Sequence, residues 1–238
     1  MLVRHPAPWI CKDATMANLT RHGDIFILDL GGGDNRFNEQ SVTEIHAALD
    51  EIESASGPVA LVTTAQGKIW CNGLDLDWMA TSNVDISAFL GRVQATMARL
   101  LSIPVFSVAA MQGHVFAAGA IFALAHDVRI MRNDRGWFCL PEVDLGMPFG
   151  EGLGTLNRLK LSQPALHRLA VMGERITGPV ALELGVVDAL AAEEEVLPTA
   201  MARAVELAPK SKPILATIRR DFYGDAIDAL LRPPPTAR

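Results

Sequence analysis

The chain has 238 residues, half of them hydrophobic and a fifth charged, so it can bury the core of one large domain or of a domain with a small appendage. Its 21 basic and 27 acidic residues give a net charge of −6, and no basic cluster points to a nucleic-acid partner. The three cysteines, Cys11, Cys71 and Cys139, are widely spaced, which excludes a disulfide framework and a zinc pattern and favours a reducing compartment.

We expect neither a targeting segment nor a membrane partner. The first 13 residues lack the apolar core of a signal peptide, and no run approaches the roughly 20 apolar residues that a membrane helix needs. The last five residues match no retention or peroxisomal signal. The expected location is therefore cytoplasmic.

Strand-like and helix-like patterns alternate up to about residue 190. In chain order they predict a strand at 24–30, a helix at 41–52, a strand at 59–64, a helix at 85–101, a strand at 105–110, a helix at 118–125 and a strand at 128–131. Asn38 is predicted to cap the first helix. The glycines at 31–33 lack the Rossmann spacing and the P-loop lysine, so a hairpin turn is predicted there. The alternation implies parallel strands and an α/β core.

The pattern changes after about residue 190. Two helical stretches, 195–209 and 213–231, have prolines at their edges. We interpret them as a small helical appendage. The predicted organisation is therefore a core of residues 1–190 and a helical C-terminal region of residues 191–238.

Two glycine-containing stretches, 67–76 and 112–120, carry the strongest functional signal. Each follows an apolar, strand-like run and turns through glycine into a new segment. Such turns can leave backbone N–H groups free, and two free N–H groups directed at one oxygen form an oxyanion hole. The pair therefore indicates chemistry on an acyl group rather than binding alone.

These turns belong to a series of motifs that resembles the crotonase (enoyl-CoA hydratase/isomerase) superfamily over residues 20–190. The motifs lie at 67–76, 104–119, 126–127 and 141–146. The resemblance implies a spiral of ββα turns, a helical C-terminal region that forms a homotrimer or a dimer of trimers, and an acyl-CoA thioester substrate. It implies no cofactor beyond the coenzyme A of the substrate. It also implies that the backbone N–H groups of Leu74 and Ala118 hold the thioester oxygen.

A first departure from the family pattern narrows the expected reaction. Hydratases of the family have two glutamates, and the corresponding positions here are Ile121 and Glu142. Two carboxylates serve hydration, whereas one base can move a double bond by removing a proton and returning it elsewhere. Together with the segments 132–136 and 142–146, this is similar to Δ3,Δ2-enoyl-CoA isomerases of the plant peroxisomal type. The resemblance thus implies an isomerase that shifts 3-enoyl-CoA to 2-enoyl-CoA.

A second departure lies in the second glycine turn. Ala117 and Ala118 stand where many members of the family have glycine. Alanine can still present its N–H group if its φ angle is negative. We therefore expect the oxyanion hole to differ only in detail.

Glu142 is the candidate base. It follows the apolar stretch 137–140, and burial there is expected to raise its pKa above the roughly 4.3 of free glutamate. Asp75 is expected to cap the segment after the first turn and to fix the Leu74 N–H group.

Further residues near the two turns are assigned to substrate binding. They are Asn72, Asp75, Leu76, Ile121, Arg36 and Lys68. Arg36 and Lys68 flank the first turn and either meet the phosphates of coenzyme A or form solvated surface. Ile121 replaces a carboxylate that would hold water, which suits a reaction that must exclude water.

Three alternatives stay open. Glu151 either reaches the acyl pocket as a second acid or base or lies on the surface. A hydratase or a thioester hydrolase of this fold would use Glu142 and Glu151 as an acid–base pair, and a non-catalytic acyl-CoA-binding homologue would keep the fold without turnover.

His114 and His126 are expected to be structural, because no nucleophile motif accompanies them.

Overall fold

The structure, a computed structural model, describes residues 17–234. The expectations for residues 1–13, including Cys11, and for the last four residues lie outside the described residues. The β-strands are β1 (Asn18–His22), β2 (Ile25–Asp29), β3 (Ala60–Thr64), β4 (Ile69–Cys71), β5 (Phe106–Met111), β6 (His114–Phe116), β7 (Val128–Arg132), β8 (Phe138–Cys139) and β9 (Ala189–Ala191). The α-helices are α1 (Glu39–Ser54), α2 (Leu76–Thr81), α3 (Ile86–Ser102), α4 (Ala118–Ala125), α5 (Glu142–Leu145), α6 (Gly150–Lys160), α7 (Gln163–Leu166), α8 (Gly178–Glu183), α9 (Val196–Leu207) and α10 (Ile214–Leu231).

Two sheets form the centre of the fold. The larger has the order β1-β2-β3-β5-β7-β9 and is parallel except for β1, which pairs antiparallel with β2. The smaller has the order β4-β6-β8 and is parallel throughout. The chain passes from the large sheet to the small sheet and then into a helix, as in β3-β4-α2 and β5-β6-α4. Because β4, β6 and β8 are parallel neighbours, the segments that follow them meet at one edge of the small sheet.

The large sheet is covered on both faces. Every residue of β2 and β3 is buried, which agrees with their apolar, β-branched sequences. Residues of α1, α3 and α4 belong to the larger of two hydrophobic clusters, whereas α9 packs on the opposite face. The residues of α9 that face the sheet, Val196, Ala200 and Ala204, follow the spacing of one helical stripe. The boundary predicted between residues 190 and 191 falls inside β9, and α9 shares the core of the sheet.

A buried arginine fastens α10 to the body of the protein. Arg219, only 2 % exposed, donates to the Asp127 carboxylate at 2.6 Å and to the carbonyl oxygens of Leu100 at 3.2 Å and of Ile103. The helix packs against α3 and α6. Its C-terminal end thereby lies beside the first turns of α6.

The predicted helices at 41–52, 85–101 and 118–125 correspond to α1, α3 and α4. Asn38 caps α1, as predicted, by accepting a hydrogen bond from the Ser41 N–H group at 3.1 Å. The later stretches predicted as helical contain α9 and α10. Within residues 17–234, no helix combines the length and the apolar character that crossing a membrane requires.

The prediction of a hairpin turn at residues 31–33 is wrong. The hairpin instead joins β1 to β2 through Gly23, whose φ is +62°. β1 was missed because it is a short, mostly polar edge strand. Since β2 pairs with β3 in parallel, the chain leaves β2 through residues 31–33 into a loop that leads to α1.

Candidate active site

The two glycine turns lie in direct contact. A Cβ atom built on Gly73 would fall 2.9 Å from the Ala117 Cβ atom and 3.2 Å from the Ala118 nitrogen. Gly73 also has φ +80°, a backbone region that favours glycine. Glycine at position 73 is therefore what lets the turn after β4 approach the turn after β6.

The first turn is held by backbone hydrogen bonds on both sides of Leu74. The Phe37 N–H group donates to the Gly73 carbonyl at 2.7 Å, and the Asp75 N–H group donates to the Phe37 carbonyl at 3.0 Å. The Asp75 carboxylate accepts from the Trp78 N–H group at 3.2 Å and so caps α2, as predicted. The Leu74 N–H group itself has no acceptor within the described part of the chain.

The second turn directs a free N–H group from the start of α4. The Ala117 N–H group donates to the Cys139 carbonyl at 3.0 Å, and the Ala117 carbonyl accepts from Ala120 and Ile121. The Ala118 N–H group begins the helix and finds no acceptor among residues 17–234. The positive end of the helix dipole adds to its attraction for negative charge.

Ala117 differs from the sequence expectation. Its φ is +51° and its ψ −130°, so it occupies a region that alanine rarely adopts. A negative φ was the condition under which an alanine was expected to present its N–H group, and Ala117 does not meet it. Such strain costs on the order of 1–3 kcal/mol and is typical of functional sites. The Ala118 N–H group still has its free orientation, because the strained residue is the one before the helix.

Glu142 begins α5, directly after β8. It is 8 % exposed, and its Oε2 atom is buried without a hydrogen-bond partner within residues 17–234. Burial raises its pKa to about 7. The predicted upward shift of the pKa thus agrees with the structure, and the carboxyl changes its protonation state near neutral pH.

One cavity of about 410 Å³ joins the two turns and the glutamate. Leu74, Ala118 and Glu142 all line it. Its apolar wall comes from α2, α3, α6 and α10, in the residues Leu76, Leu90, Leu153, Phe149 and Ala229. Two free N–H groups and one unpaired carboxyl therefore share an apolar chamber of the size that small-molecule sites have.

Several residues assigned to substrate binding lie elsewhere. Ile121 is 0 % exposed, belongs to the core and does not line the cavity. Asn72 does not line it either, and its N–H group donates to the Asp34 carbonyl at 3.1 Å. Leu76 does line the cavity.

The two cations near the first turn differ in their surroundings. Arg36 lines a separate pocket of about 290 Å³ together with Asp75. Its guanidinium lies 3.0 Å from the Asp34 carboxylate, 3.4 Å from that of Asp77 and 3.9 Å from that of Asp75. Lys68 is exposed and forms no ion pair in the part of the chain that the structure describes.

Glu151 stands at the rim of the cavity rather than inside it. Its carboxylate is exposed and pairs with Arg232 at 2.5 Å. The surface alternative for Glu151 therefore agrees with the structure.

Both histidines have structural contacts, as expected. Burial lowers the pKa of His126 to about 4, so it is neutral; Nδ1 donates to the Phe122 carbonyl at 2.9 Å and Nε2 accepts from the Thr63 hydroxyl at 2.8 Å. His114 accepts from the Trp137 N–H group at 3.2 Å.

Sequence reasoning missed the parts of the cavity that distant helices supply. Gln94 of α3, Ala229 of α10 and residues 232–234 after that helix contribute to the wall. One signal was available for Gln94, because it is a polar residue on the apolar stripe that Leu90, Val93 and Met97 form. No comparable signal marked the end of α10.

Comparison with known proteins identifies the family of this chain. The model of the enoyl-CoA hydratase/isomerase family matches residues 32–232. The chain belongs to this family. The predicted crotonase superfamily membership and the predicted α/β crotonase-like fold are thereby confirmed.

Individual members of the family are similar over most of their length. Enoyl-CoA delta isomerase 2, peroxisomal, of Arabidopsis thaliana is 36% identical over 222 residues, which cover 87% of this chain and 92% of that protein. Enoyl-CoA delta isomerase 3 of the same plant is 33% identical, with coverage of 87% and 92%. The apo structure of an enoyl-CoA isomerase from Mycobacterium tuberculosis has a TM-score of 0.82 at 25% identity and covers 90% of this chain and 93% of that one. The cytoplasmic location stays a prediction.

Proposed function

We propose that this family member is a Δ3,Δ2-enoyl-CoA isomerase that needs no cofactor beyond the coenzyme A of its substrate. The observation that carries the proposal is a single buried, unpaired carboxyl, that of Glu142, in one cavity with two free backbone N–H groups. The two Arabidopsis relatives named as enoyl-CoA delta isomerases support it.

In the proposed first step, the thioester oxygen accepts hydrogen bonds from the N–H groups of Leu74 and Ala118. The ionised Glu142 removes a proton from C2 of a 3-enoyl-CoA, and the electron pair of that C–H bond delocalises to form a dienolate. The negative charge appears on the thioester oxygen, where the two N–H groups and the α4 dipole stabilise it. In other enzymes the loss of one such donor typically costs about 2.7–4 kcal/mol.

In the second step, the protonated Glu142 returns the proton to C4. The electrons of the dienolate form the C2=C3 double bond and restore the thioester carbonyl. A carboxyl whose pKa is about 7 suits both steps, because neither removal nor return of the proton is strongly uphill near neutral pH. The apolar wall keeps water from the dienolate.

The placement of the other acidic residues favours isomerisation over hydration. The first of the two hydratase glutamates corresponds to Ile121, which lies in the core, and Glu151 is exposed and paired with Arg232. Of the two glutamates that line the cavity, Glu142 is therefore the buried one.

Products from two substrates test the proposal. From a 3-enoyl-CoA we expect the conjugated 2-enoyl-CoA, and from a 2-enoyl-CoA we expect no 3-hydroxyacyl-CoA and no free acid. Formation of the hydroxy product or the free acid would instead make the protein a hydratase or a thioester hydrolase. Tight binding of both esters without turnover would make it a non-catalytic acyl-CoA-binding protein.

Glu142→Gln tests the base. The amide keeps the shape of the side chain but cannot accept the proton, so kcat should fall at least about 100-fold while acyl-CoA binding persists. Glu151→Gln is the matched control and should keep most of the activity. In the wild type, kcat/KM should rise with pH through about 7 and then level, because only the ionised carboxyl is a base. A Glu142→Gln variant that kept more than a tenth of kcat would remove Glu142 as the base.

At the coenzyme end, we propose that Lys68 meets a phosphate of coenzyme A. Its lack of an ion pair among the described residues supports this role, whereas the three carboxylates around Arg36 already neutralise that guanidinium. Lys68→Ala should raise KM for acyl-CoA more than KM for the corresponding acyl-pantetheine. Equal effects on both would contradict the contact.

We further propose that the enzyme is a homotrimer or a dimer of trimers. Support comes from Ile214, Ile218 and Phe222, which are exposed at i, i+4 and i+8 and so form an apolar stripe on α10. Such a stripe is typical of a surface that another copy covers.

A further inference from the structure

Gln94 is a polar residue in the apolar wall of the cavity. It is 8 % exposed and lines the cavity, and its side-chain amide makes no hydrogen bond within residues 17–234. Its neighbours on the same face of α3 are Leu90, Val93 and Met97. Its amide atoms are not among the sealed polar atoms of the core, so they reach the open space of the cavity. An apolar side chain would serve better here if the wall had only to pack, because any ligand that displaces water from the amide without replacing its hydrogen bonds loses free energy.

The surrounding helices leave space for this amide. A Cβ atom built on Gly152 of α6 would fall 2.4 Å from the Gln94 Oε1 atom and 3.0 Å from the Ala229 carbonyl oxygen of α10. Glycine at position 152 therefore lets the amide stand where α3, α6 and α10 meet. The groups that act on the thioester belong to other segments, namely the turns after β4 and β6 and the start of α5.

The amide does not position the base. The Glu142 Oε2 atom has no partner in the described part of the chain, and burial rather than a neighbouring side chain raises the pKa of this carboxyl. A contact with the pantetheine arm also fits poorly. That arm must run out to solvent, whereas Gln94 is buried and Ala229 and residues 232–234 also line the cavity.

We propose that Gln94 recognises an oxygen on the acyl chain, so that the preferred substrate is an enoyl-CoA with a hydroxyl or keto group beyond the reacting carbons. This inference rests on the proposed function for its substrate class. A side-chain amide both donates and accepts hydrogen bonds, so it can donate to a hydroxyl oxygen or accept from the hydroxyl proton. A plain hydrocarbon chain would leave the amide unpaired, and a site built in this way discriminates against such a chain.

Binding of saturated acyl-CoA thioesters gives the most direct test. The probes are one plain chain and a series of the same length with a hydroxyl at successive carbons from C5 onwards, each titrated by calorimetry. In the wild type, one position should bind about 3- to 10-fold more tightly than the plain chain, the range that a net hydrogen bond gives. Gln94→Met keeps the length of the side chain without the amide, and should abolish or reverse this preference. Gln163→Met, an exposed residue on α7, is the matched control and should retain it.

Two results would overturn the assignment. One is a wild type that prefers no hydroxyl position. The other is a Gln94→Met variant that weakens the binding of free coenzyme A and of every ester alike, which would place the amide on the pantetheine arm.

A second variant guards against a folding defect. If Gln94→Met does not melt cooperatively, Gly152→Ala moves the amide instead of removing it, and the preference should again fall. An unchanged preference in a folded Gly152→Ala protein would count against the site. Saturated thioesters report binding without turnover. If the protein does not isomerise 3-enoyl-CoA, the proposed function is therefore wrong, but the binding preference still tests the role of Gln94.

Discussion

Ala117 concentrates backbone strain at the point where the two turns meet. Its φ of +51° places its Cβ beside Gly73, which therefore has to be glycine. The turn nevertheless keeps the Ala118 N–H group free at the head of α4. The strain at Ala117 thus lowers the free energy of unfolding, and the same turn conformation holds the Ala118 N–H group ready as a hydrogen-bond donor.

Relief of this strain is a testable consequence. Ala117→Gly should raise the free energy of unfolding by about 1 kcal/mol, since glycine adopts positive φ readily but loses more chain entropy on folding. Ala118→Gly is the matched control, and should lower stability because position 118 is helical. Denaturant unfolding of both variants provides the comparison. A less stable Ala117→Gly protein would contradict the assigned strain.

The raised pKa of Glu142 also links stability to pH. The folded-state pKa of about 7 lies above the ordinary value of 4.5, so the folded protein holds this proton more tightly than the unfolded chain does. The contribution of this group to the free energy of unfolding is therefore fully present below pH 4.5 and is lost as pH rises through about 7. The loss is on the order of 3 kcal/mol.

Glu142→Gln removes this dependence because the amide does not ionise. Relative to the variant, the wild type should become steadily less stable between pH 5 and pH 8. Free energies of unfolding measured for both proteins across this range give the difference directly. A constant difference would show that Glu142 keeps an ordinary pKa.

At the scale of elements, the C-terminal helix depends on one buried ion pair. Arg219 of α10 bonds Asp127 and two carbonyl oxygens at the end of α3. The adjacent Arg220 pairs with Asp228 at 2.7 Å, but both of those side chains are about half exposed. Two neighbouring arginines therefore offer an internal comparison of a buried and an exposed pair.

Arg219→Met should cost about 3–5 kcal/mol, because it leaves the largely buried Asp127 carboxylate without its cation. Arg220→Met should cost less than about 1 kcal/mol. Thermal melts and acyl-CoA binding of both variants test this, and only Arg219→Met should also weaken binding through the cavity wall. Similar costs for the two substitutions would show that Arg219 does not fasten α10.

The elements that the sequence predicts well are those whose burial has a regular period. α1 and α3 show helical stripes, and β2 and β3 are buried along their whole length and mostly apolar. The strands that escaped prediction are β1, β4, β6, β8 and β9, which have two to five residues. Their existence depends on pairing with distant segments, and such pairing leaves little periodic signal in a short run.

The residues of the candidate site also fall into those that the sequence predicts and those that it does not. Leu74, Ala118 and Glu142 could be predicted because each lies in a short motif that resembles the crotonase family. Gln94 and the end of α10 join the cavity through helix packing, which no local motif encodes. Ile121 was misassigned because the helix turns its side chain into the core one turn after the donor at 118.

At the scale of the whole molecule, the apolar stripe of α10 is the expected contact between subunits. Deleting both α9 and α10 would not test this contact, because α9 belongs to the core of the large sheet. A charge on the stripe is the sharper change: Phe222 is 74 % exposed, so Phe222→Glu should leave the monomer folded.

Light scattering at micromolar concentration should give a trimer or hexamer for the wild type and a smaller species for Phe222→Glu. Asp221→Ala, at an exposed neighbouring position on α10, is the control and should keep the assembly. A wild-type mass near 26 kDa would show a monomer and leave the stripe without a partner copy.

The contribution of α10 to the cavity has a consequence for biosynthesis. The two glycine turns and Glu142 lie in the first 142 residues, but Ala229 and residues 232–234 complete the wall of the cavity. While α10 of a nascent chain is still inside the ribosomal exit tunnel, the two turns and Glu142 can fold, but the cavity around them is incomplete. The enclosed cavity therefore forms only after translation has passed α10, and chains terminated before this helix would carry an open cavity.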